Sequence, residues 1–395
     1  MKNLILAIST FVLLSFSNTL AQFSLNGSLQ SSLYTFERTD DLRQANFYQG
    51  FNLRLAHGSL ANTYLNTNFR MIKFGDQSWD EKVYNTYLNW KTASNLVSVR
   101  AGRQFLYQGV MNGTFDGVLL AVNPVENLSI KVFGGLEAPF DRDFRTVESD
   151  SSAIGGILSY RLPWDIKVDV SYMNQKRDDE SILELAGLAL SGNYDNSLYY
   201  VIQADQDLIN DEIQKLRGRF HYLFDKWTFI AEVAQQKPRI YQDSFFRIFS
   251  IEEYSQMRGG LTYQLDMVQL GAQYILTNYE NDSNNRIIVT GATDWGMIGV
   301  IFQSGYAGDN VGVYGDLRYK VMPELTLKAY SSYYNYERGT KDISEDAVSF
   351  SAGAEYRPLD SIILMADVQE SMNSYFKNDL RGLFRFNYFF NFKSE

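Results

Sequence analysis

Apolar and polar side chains alternate with a period of two over much of the chain. The same alternation of apolar and polar positions recurs in segments such as 61–70 and 311–320. Each segment runs for about 9–12 residues, the length of a strand that crosses a bilayer at a tilt. The pattern therefore predicts β-strands with one apolar face and one polar face. It is clearest near the C-terminus, where the apolar face would carry Leu380, Gly382, Phe384, Phe386, Tyr388, Phe390 and Phe392, opposite Arg381, Arg385, Asn387 and Asn391.

The connections between these segments alternate in length. Short ones fall at 57–59, 123–125, 163–164, 225–226, 322–323 and 358–360. Between them lie longer polar ones, among them 176–181, with 137–151 and 237–255 the longest. A soluble β-sandwich also shows alternating strands, but short turns on one side and longer loops on the other are typical of an outer-membrane barrel.

Counting hairpins in this way predicts an all-β fold, a transmembrane antiparallel up-and-down β-barrel of 22 strands. An even number returns both ends of the barrel to the same side of the membrane. The turn at Thr293-Asp294 is the least marked, and loss of hairpins there or elsewhere would leave 18 or 20 strands. The expected strands lie near 23–36, 46–56, 60–72, 82–92, 95–106, 114–122, 127–136, 152–161, 165–175, 182–191, 197–206, 213–224, 227–236, 256–265, 266–276, 286–293, 296–303, 311–320, 324–336, 346–357, 361–371 and 379–392.

The N-terminal segment has a different pattern. Lys2 precedes an apolar run from Leu4 to Phe16 and a small-residue exit that ends at Ala21. This order is typical of a secretory signal peptide, so we expect residues 1–21 to be removed and 22–395 to form one barrel domain. No later segment has the roughly 20 consecutive apolar residues of a membrane-spanning helix. A TonB-dependent transporter is disfavoured because it would need a plug domain before its first strand.

Composition agrees with an exported barrel. The chain has no cysteine, which excludes a disulfide framework and thiolate metal sites. Its 27 Tyr and 27 Phe against 6 Pro favour long strands and aromatic girdles. The formal net charge is −10, and it becomes −11 once Lys2 is removed. We expect no nucleic-acid partner for this acidic chain.

Charged residues on the polar face of the strands are expected to line the lumen. Bases outnumber acids among them, so the lumen is expected to be positive although the chain is acidic, which favours anions or acidic solutes. Any one charge could instead pair across strands and hold the shape of the wall. The basic members are Arg54, Arg70, Lys131, Arg217, Arg219, Arg258, Arg318, Lys328, Arg381 and Arg385, and the acidic ones are Asp169, Glu184, Glu232, Asp316, Glu355 and Asp367.

Catalytic chemistry has little support in the sequence. The two histidines are His57, beside a predicted turn, and His221, near one end of a strand. No phosphate-binding loop, zinc spacing or calcium loop is present. We therefore expect no catalytic residue, no metal and no cofactor.

One stretch carries a family resemblance. Val99-Arg100-Ala101-Gly102-Arg103-Gln104, followed by Tyr107-Gln108-Gly109 and by Gly113-Thr114-Phe115-Asp116-Gly117-Val118, resembles the strand-loop-strand signature of the alginate-export family of porins. The resemblance implies a barrel that conducts an acidic polysaccharide, with Arg103 and Gln104 at or near the conduit. Strand parity alone would turn Arg103 outward with Ala101, unless Gly102 marks a bulge. Both placements are open at this point.

The sequence thus favours a passive channel of the bacterial outer membrane for small hydrophilic solutes, including anions or acidic saccharides. The alternative is a closed barrel whose external loops bind a partner, as an adhesin or an assembly platform. Expected partners are outer-membrane lipid, the solute and the barrel-assembly machinery, which would recognise the aromatic closing strand. A homo-oligomer is an open option.

Loop 237–255 would narrow the pore or cover its rim. It carries Arg239, Tyr241, Phe245, Phe246, Arg247, Phe249 and Tyr254.

Overall fold

The chain folds into 22 strands, which confirms both the all-β fold class and the strand count. The computed structural model describes residues 23–37, 42–58, 60, 62–139, 141–143, 151–242, 253–306, 308–337, 344–374 and 378–393. The predicted signal peptide, residues 1–21, lies outside these ranges and stays a prediction. The strands are β1 (Phe23–Glu37), β2 (Arg43–His57), β3 (Thr63–Phe74), β4 (Asp80–Lys91), β5 (Val97–Gln108), β6 (Met111–Val125), β7 (Leu128–Glu137), β8 (Ser151–Leu162), β9 (Ile166–Arg177), β10 (Glu180–Tyr194), β11 (Leu198–Asp207), β12 (Glu212–Phe224), β13 (Trp227–Gln236), β14 (Tyr254–Gln264), β15 (Gln269–Asn278), β16 (Ser283–Thr293), β17 (Gly296–Gly305), β18 (Asn310–Met322), β19 (Leu325–Glu337), β20 (Ser344–Leu359), β21 (Ile362–Met372) and β22 (Asp379–Lys393).

Every strand pairs antiparallel with the next one along the chain, and the last pairs with the first. The closing ladder between β1 and β22 runs from Ser24 opposite Lys393 to Thr35 opposite Gly382. This pairing of the first strand with the last closes the sheet into a barrel, which is the form in which a β-sheet spans a membrane. No helix in the described ranges is long and apolar enough to cross a bilayer.

Tight turns form where the sequence supplies residues that tolerate positive φ. Asp178 and Asp179 have φ of 51° and 65°, and Asp195 and Asn196 have φ of 50° and 52°. Two successive positive values are the signature of a two-residue hairpin turn whose twist matches the flanking strands. The connection that the sequence analysis counted among the longer ones at 176–181 is therefore a two-residue turn. The predicted turn at Thr293-Asp294 is confirmed, since β16 ends at Thr293 and β17 begins at Gly296.

The two faces of the sheet differ sharply in polarity. One face exposes a broad set of large apolar side chains, including Val132, Ile154, Val170, Leu188 and Ile298, which are 49–61% accessible. The alternate positions of the same strands carry residues such as Lys131, Asp169 and Arg217. Exposed apolar side chains suit a lipid environment and charged ones do not. The apolar face is therefore the outer surface of a transmembrane barrel, and the polar face surrounds the lumen.

Candidate functional site

The strand register places almost all of the charged residues singled out from the sequence on the inner face. Glu232, for example, stands opposite Arg219 on one side and Arg258 on the other. Glu184 is the exception and corrects the prediction: its neighbours on the same face are Leu188 and Tyr172, and its carboxylate accepts a hydrogen bond of 2.7 Å from the Tyr172 hydroxyl. The β9–β10 register is regular from Leu183 onward, so Glu184 shares the outer face with Leu188 by strand parity.

Several inner charges are neutralised by a partner on the same strand or a neighbouring one. Glu232 accepts from Arg217 at 2.7 Å and from Arg219 at 2.8 Å. Glu355 lies 2.6 Å from Lys328, and Asp379 lies 2.5 Å from Arg381. The pairs of Glu232 and Glu355 link neighbouring strands, and the charges of all three pairs are only partly available to a solute.

Other inner guanidinium groups have no carboxylate partner within the described part of the chain. Arg54 lies over the ring of Tyr64 at 3.8 Å from its centroid, and Arg70 lies 5.4 Å from that of Tyr84. Arg258 points Nε and Nη2 at the side-chain amide of Gln273, and with the amide oxygen turned toward Arg258 this oxygen accepts from both, at 2.9 and 2.7 Å. A ring or an amide orients a guanidinium without cancelling its charge. These side chains therefore keep the inner face positive.

Two more residues of this kind were missed by sequence reasoning. Arg100 lies over the Tyr87 ring at 4.6 Å, and Arg286 donates to the Gln303 amide oxygen at 2.8 Å. The strand parity that selected the other arginines could have found both of them. Lys131 likewise donates to the amide oxygen of Gln108, at 3.0 Å.

The upper half of the β5–β6 hairpin leaves the wall. The β4–β5 ladder ends at Thr86 opposite Arg103, whereas β5 and β6 stay paired as far as Gln108 opposite Met111. At the hairpin tip the amide of Val110 donates to Ser171 Oγ at 3.1 Å. Ser171 belongs to β9, so the tip reaches past β7 and β8 to the inner face of a distant strand. The hairpin therefore lies inside the lumen, against the inner wall.

An apolar core fixes the hairpin to this wall. Leu106, Met111 and Phe115 of the hairpin are each 1% exposed. They pack on the inner side chains of the wall, and the ring of Phe115 lies 4.9 Å from that of Phe133. Burying one such side chain stabilises the arrangement by roughly 1.5–3 kcal/mol. The hairpin is thus a fixed inner layer of the barrel. The wall residues of this core are Phe133, Ala153, Ile157, Met173, Leu183 and Leu185.

Arg103 and Gln104 lie at the base of this hairpin. Gly102 has φ of 123°, and the next two side chains are 7% and 0% exposed. Arg103 forms a two-pronged ion pair with Asp116, at 2.8 and 2.9 Å, and donates to the Asp143 carbonyl at 2.8 Å. Gln104 donates to the Gly117 carbonyl at 3.2 Å. Both are buried in the structure of the hairpin base, so neither offers an accessible side chain to a passing solute.

Residues 141–143 close the gap that the hairpin leaves in the wall. The Val83 amide of β4 donates to the Arg142 carbonyl at 2.8 Å, in the place of a ladder bond to β5. Lys82 pairs with Asp143 at 3.0 Å, and Arg142 lies over the Tyr84 ring at 4.6 Å. Part of the predicted loop 137–151 therefore takes the place of β5 beside β4 in the barrel wall.

The start of loop 237–255 folds over the hairpin tip. Arg239 donates to the Val110 carbonyl at 3.2 Å and lies 3.8 Å from the carboxylate of Asp205. Tyr241 packs against the apolar core, and its burial, together with the Glu137 carboxylate, raises the pKa of its hydroxyl. Phe245, Phe246, Arg247 and Phe249 lie outside the described residues, and Tyr254 begins β14.

The contact between the hairpin tip and Ser171 allows a direct test of the inward position of the hairpin. A Cβ on Gly109 would stand 2.3 Å from Ser171 Oγ, and the φ of Gly109 is +58°. We expect Gly109→Val to lower the free energy of unfolding by about 2–5 kcal/mol, because it combines a backbone penalty with overpacking. Urea unfolding of the refolded protein in lipid vesicles measures this change. Gly134→Val is the control, since a Cβ there meets nothing within 4 Å. Equal losses of stability in the two variants would contradict the contact between the hairpin tip and Ser171.

Within the described ranges, the histidines and the acidic side chains form no recognisable catalytic or metal-binding group. His221 lies beside the ring of Tyr199, at 6.3 Å between centroids. Among the described residues it forms no hydrogen bond to a carboxylate, and no cluster of three metal-ligating side chains occurs.

Comparison with known proteins supports the fold. No protein-family model and no curated protein matches the sequence. The translocation pore of the P pilus usher PapC is similar in structure, with a TM-score of 0.56 at 8% identity over 93% of this chain and 99% of that one. OccK1 (OpdK) of Pseudomonas aeruginosa gives 0.48 at 10% identity, over 94% and 99% of the two chains. OccK8 (OprE) of the same organism gives 0.47 at 10% identity, over 94% and 98%. The resemblance to the alginate-export family stays a prediction.

The closed 22-strand ladder, the apolar outer face and the similarity to the usher pore lead to one conclusion about the fold. The chain is a transmembrane β-barrel of the type found in bacterial outer membranes, with one hairpin folded onto its inner wall.

Proposed function

We propose that this barrel is a passive outer-membrane channel for small hydrophilic solutes, with a preference for anions. The observation that carries the proposal is the set of inner guanidinium groups without a carboxylate partner in the described ranges, among them Arg54, Arg70 and Arg258. Fixed positive charge inside a pore raises the local concentration of anions and lowers that of cations. The acidic net charge of the whole chain does not oppose this effect, since many carboxylates lie in loops.

The inward hairpin gives the channel a narrow section. A β-layer packed on a sheet adds about 10 Å of thickness to the wall. The hairpin therefore reduces the width of the lumen over one sector, beside β7 to β10. A channel of this form would pass small solutes and exclude folded proteins.

Single-channel recording tests the proposal. The refolded protein would be inserted into a planar bilayer under a KCl gradient, and its conductance and reversal potential measured. We expect steady conductance and a reversal potential of the sign given by chloride selectivity. A silent barrel would contradict the channel and favour a closed barrel that binds partners through its loops.

The remaining sequence-based assignments stand as parts of the same proposal. They are cleavage after Ala21, recognition of β22 by the barrel-assembly machinery and contact with outer-membrane lipid. β22 supports the second of these by exposing Phe384 and Phe392 on its outer face. Cross-linking in membranes would test whether the barrels associate.

A further inference from the structure

Three tyrosines form a patch on the inner wall of β18 and β19. Tyr314, Tyr330 and Tyr334 share the strand parity of Asp316, so their side chains lie in the lumen. The register places Ser332 between the two tyrosines of β19 and opposite Tyr314. Ser332 is 6% exposed, whereas Tyr330 is 37% exposed and the other two tyrosines are half-buried. The rings of this tyrosine patch, and not the serine, are therefore the groups that a solute meets.

Two of the rings lie along the wall because glycines stand opposite them. A Cβ on Gly312, the partner of Tyr334 in the ladder, would come within 2.1 Å of the Tyr334 ring. A Cβ on Gly299, the partner of Tyr314, would come within 2.4 Å of Tyr314 Cζ. Each ring thus fills the space of a missing side chain on the neighbouring strand. A ring in this position has one face against the wall and turns the other toward the lumen.

The side chains next to the patch on β20 and β21 are polar but uncharged. Ser351 stands opposite Tyr330, and Gln369 stands opposite Ser351. The Gln369 amide donates to the hydroxyl of Ser349 at 3.1 Å and to that of Ser371 at 3.0 Å. Hydroxyl and amide groups can donate and accept hydrogen bonds without attracting an ion of either sign.

A carboxylate lies at the edge of the patch. Asp316 stands opposite Tyr330 and forms no ion pair within the described part of the chain, not even with Arg318 two residues further along the same face. A carboxylate without a counter-charge repels an anionic solute and accepts hydrogen bonds from hydroxyl groups. The patch therefore favours an uncharged, hydroxylated solute over an anion.

The patch lies across the lumen from the inward hairpin. In a closed sheet of 22 strands, strands that are half of that number apart lie on opposite sides, so β18 and β19 face β7 and β8. The hairpin packs on the inner side chains of β7 and β8, among them Phe133 and Ile157. It narrows the lumen from that side, so a solute that passes the hairpin is brought closer to the tyrosines.

We propose that Tyr314, Tyr330 and Tyr334 form a binding site for the pyranose ring of an uncharged saccharide. The inference rests on the proposed open channel and adds to it a second class of solute, besides anions. The face of a pyranose that carries axial hydrogens is apolar and can pack on an aromatic ring, while its equatorial hydroxyls extend beyond the ring edge. Those hydroxyls would bind the Asp316 carboxylate and the Ser351 hydroxyl.

Block of the KCl conductance tests the site with three probes. Methyl β-glucoside is an uncharged pyranose, methyl β-glucuronide is the same ring with a carboxylate, and sorbitol carries similar hydroxyls on an open chain. We expect methyl β-glucoside to halve the conductance at about one tenth of the concentration that sorbitol needs, because only the ring has a flat apolar face to place on the tyrosines.

Two double variants make the test specific. Tyr314→Leu/Tyr334→Leu keeps apolar side chains over the glycines and should abolish the advantage of methyl β-glucoside over sorbitol. The same variant should change the block by methyl β-glucuronide by less than about twofold, since the Asp316 carboxylate disfavours an anion at the patch. Tyr319→Leu/Tyr333→Leu is the matched control. It removes one tyrosine from each of the same two strands on the outer face, where they are 68% and 42% exposed, and should leave all three probes unchanged.

Three outcomes would overturn the site. They are equal block by methyl β-glucoside and sorbitol, a preference for methyl β-glucoside that survives in the inner double variant, and equal loss of block by the glucoside and the glucuronide in that variant. A barrel that does not conduct would contradict the proposed function but leave the site testable. Saturation-transfer NMR would then compare the contact of methyl β-glucoside with the wild-type barrel and with both double variants, in micelles of a detergent without a sugar headgroup.

Discussion

Replacing Arg103 with alanine is expected to lower the free energy of unfolding by about 3–5 kcal/mol, the usual cost of removing one partner of a buried ion pair. Arg103 is 7% exposed, and its guanidinium binds the Asp116 carboxylate through two nitrogens. It also donates to the Asp143 carbonyl of the segment that closes the wall. The substitution therefore removes the link between the hairpin base and that segment, and leaves Asp116 without its counter-charge. Urea unfolding in vesicles, followed by tryptophan fluorescence, measures the loss.

Two further variants make this prediction specific. Arg161→Ala is the matched control, because its guanidinium is 64% exposed and lies 3.7 Å from Asp165. An exposed pair of this kind contributes at most about 1 kcal/mol. Asp116→Asn in the Arg103→Ala background should recover part of the loss, since it removes the unpaired charge. A loss at Arg103 no larger than that at Arg161 would show that the ion pair does not hold the hairpin base.

Changing Arg54, Arg70 and Arg258 together to glutamine is expected to lower the anion-to-cation permeability ratio severalfold. These guanidinium groups keep their charge because a ring or an amide, instead of a carboxylate, supports each of them. Removing three positive charges from a confined pore lowers the local anion concentration and raises that of cations. Reversal potentials in a KCl gradient measure the ratio, and the effect should weaken at high salt because the charges are screened.

A change of opposite sign provides the control for this result. Glu232→Gln removes the acid that lies between Arg217 and Arg219 and should raise the anion preference. Lys226→Gln, in a turn where the lysine is half exposed and 3.6 Å from Asp266, should leave the ratio unchanged. Loss of selectivity in all three variants, or in none, would mean that the inner arginines do not set it.

The strand content could be predicted because the information is local. A period of two identifies a half-buried strand, and residues such as Asp195 and Asn196, which tolerate positive φ, mark the turns. The weakest predicted hairpin, at Thr293-Asp294, was found in place for the same reason. The face of a charged residue also follows from parity as long as the ladder is regular. The assignment of Glu184 to the lumen was wrong although the ladder is regular there, because Glu184 has the parity of Leu188, which faces outward.

The inward hairpin could not be predicted in this way. The alternation of β5 continues through Gly102, and the β5–β6 register has no shift, so the local pattern fits a strand that stays in the wall. The hairpin leaves the wall because Leu106, Met111 and Phe115 find apolar partners on β7 to β10, and because Arg142 can take the place of β5 beside β4. These contacts join residues that are far apart in sequence.

The sequence by itself determined the strands, their turns and the polarity of the two faces, because strand parity and turn chemistry act over a few neighbouring residues. Only the tertiary structure decided which arginines are neutralised, where Arg103 and Gln104 are buried and what narrows the lumen. Those properties depend on packing across the barrel. In a closed ladder, residues that are more than a hundred positions apart, such as Val110 and Arg239, can meet at one point of the inner wall.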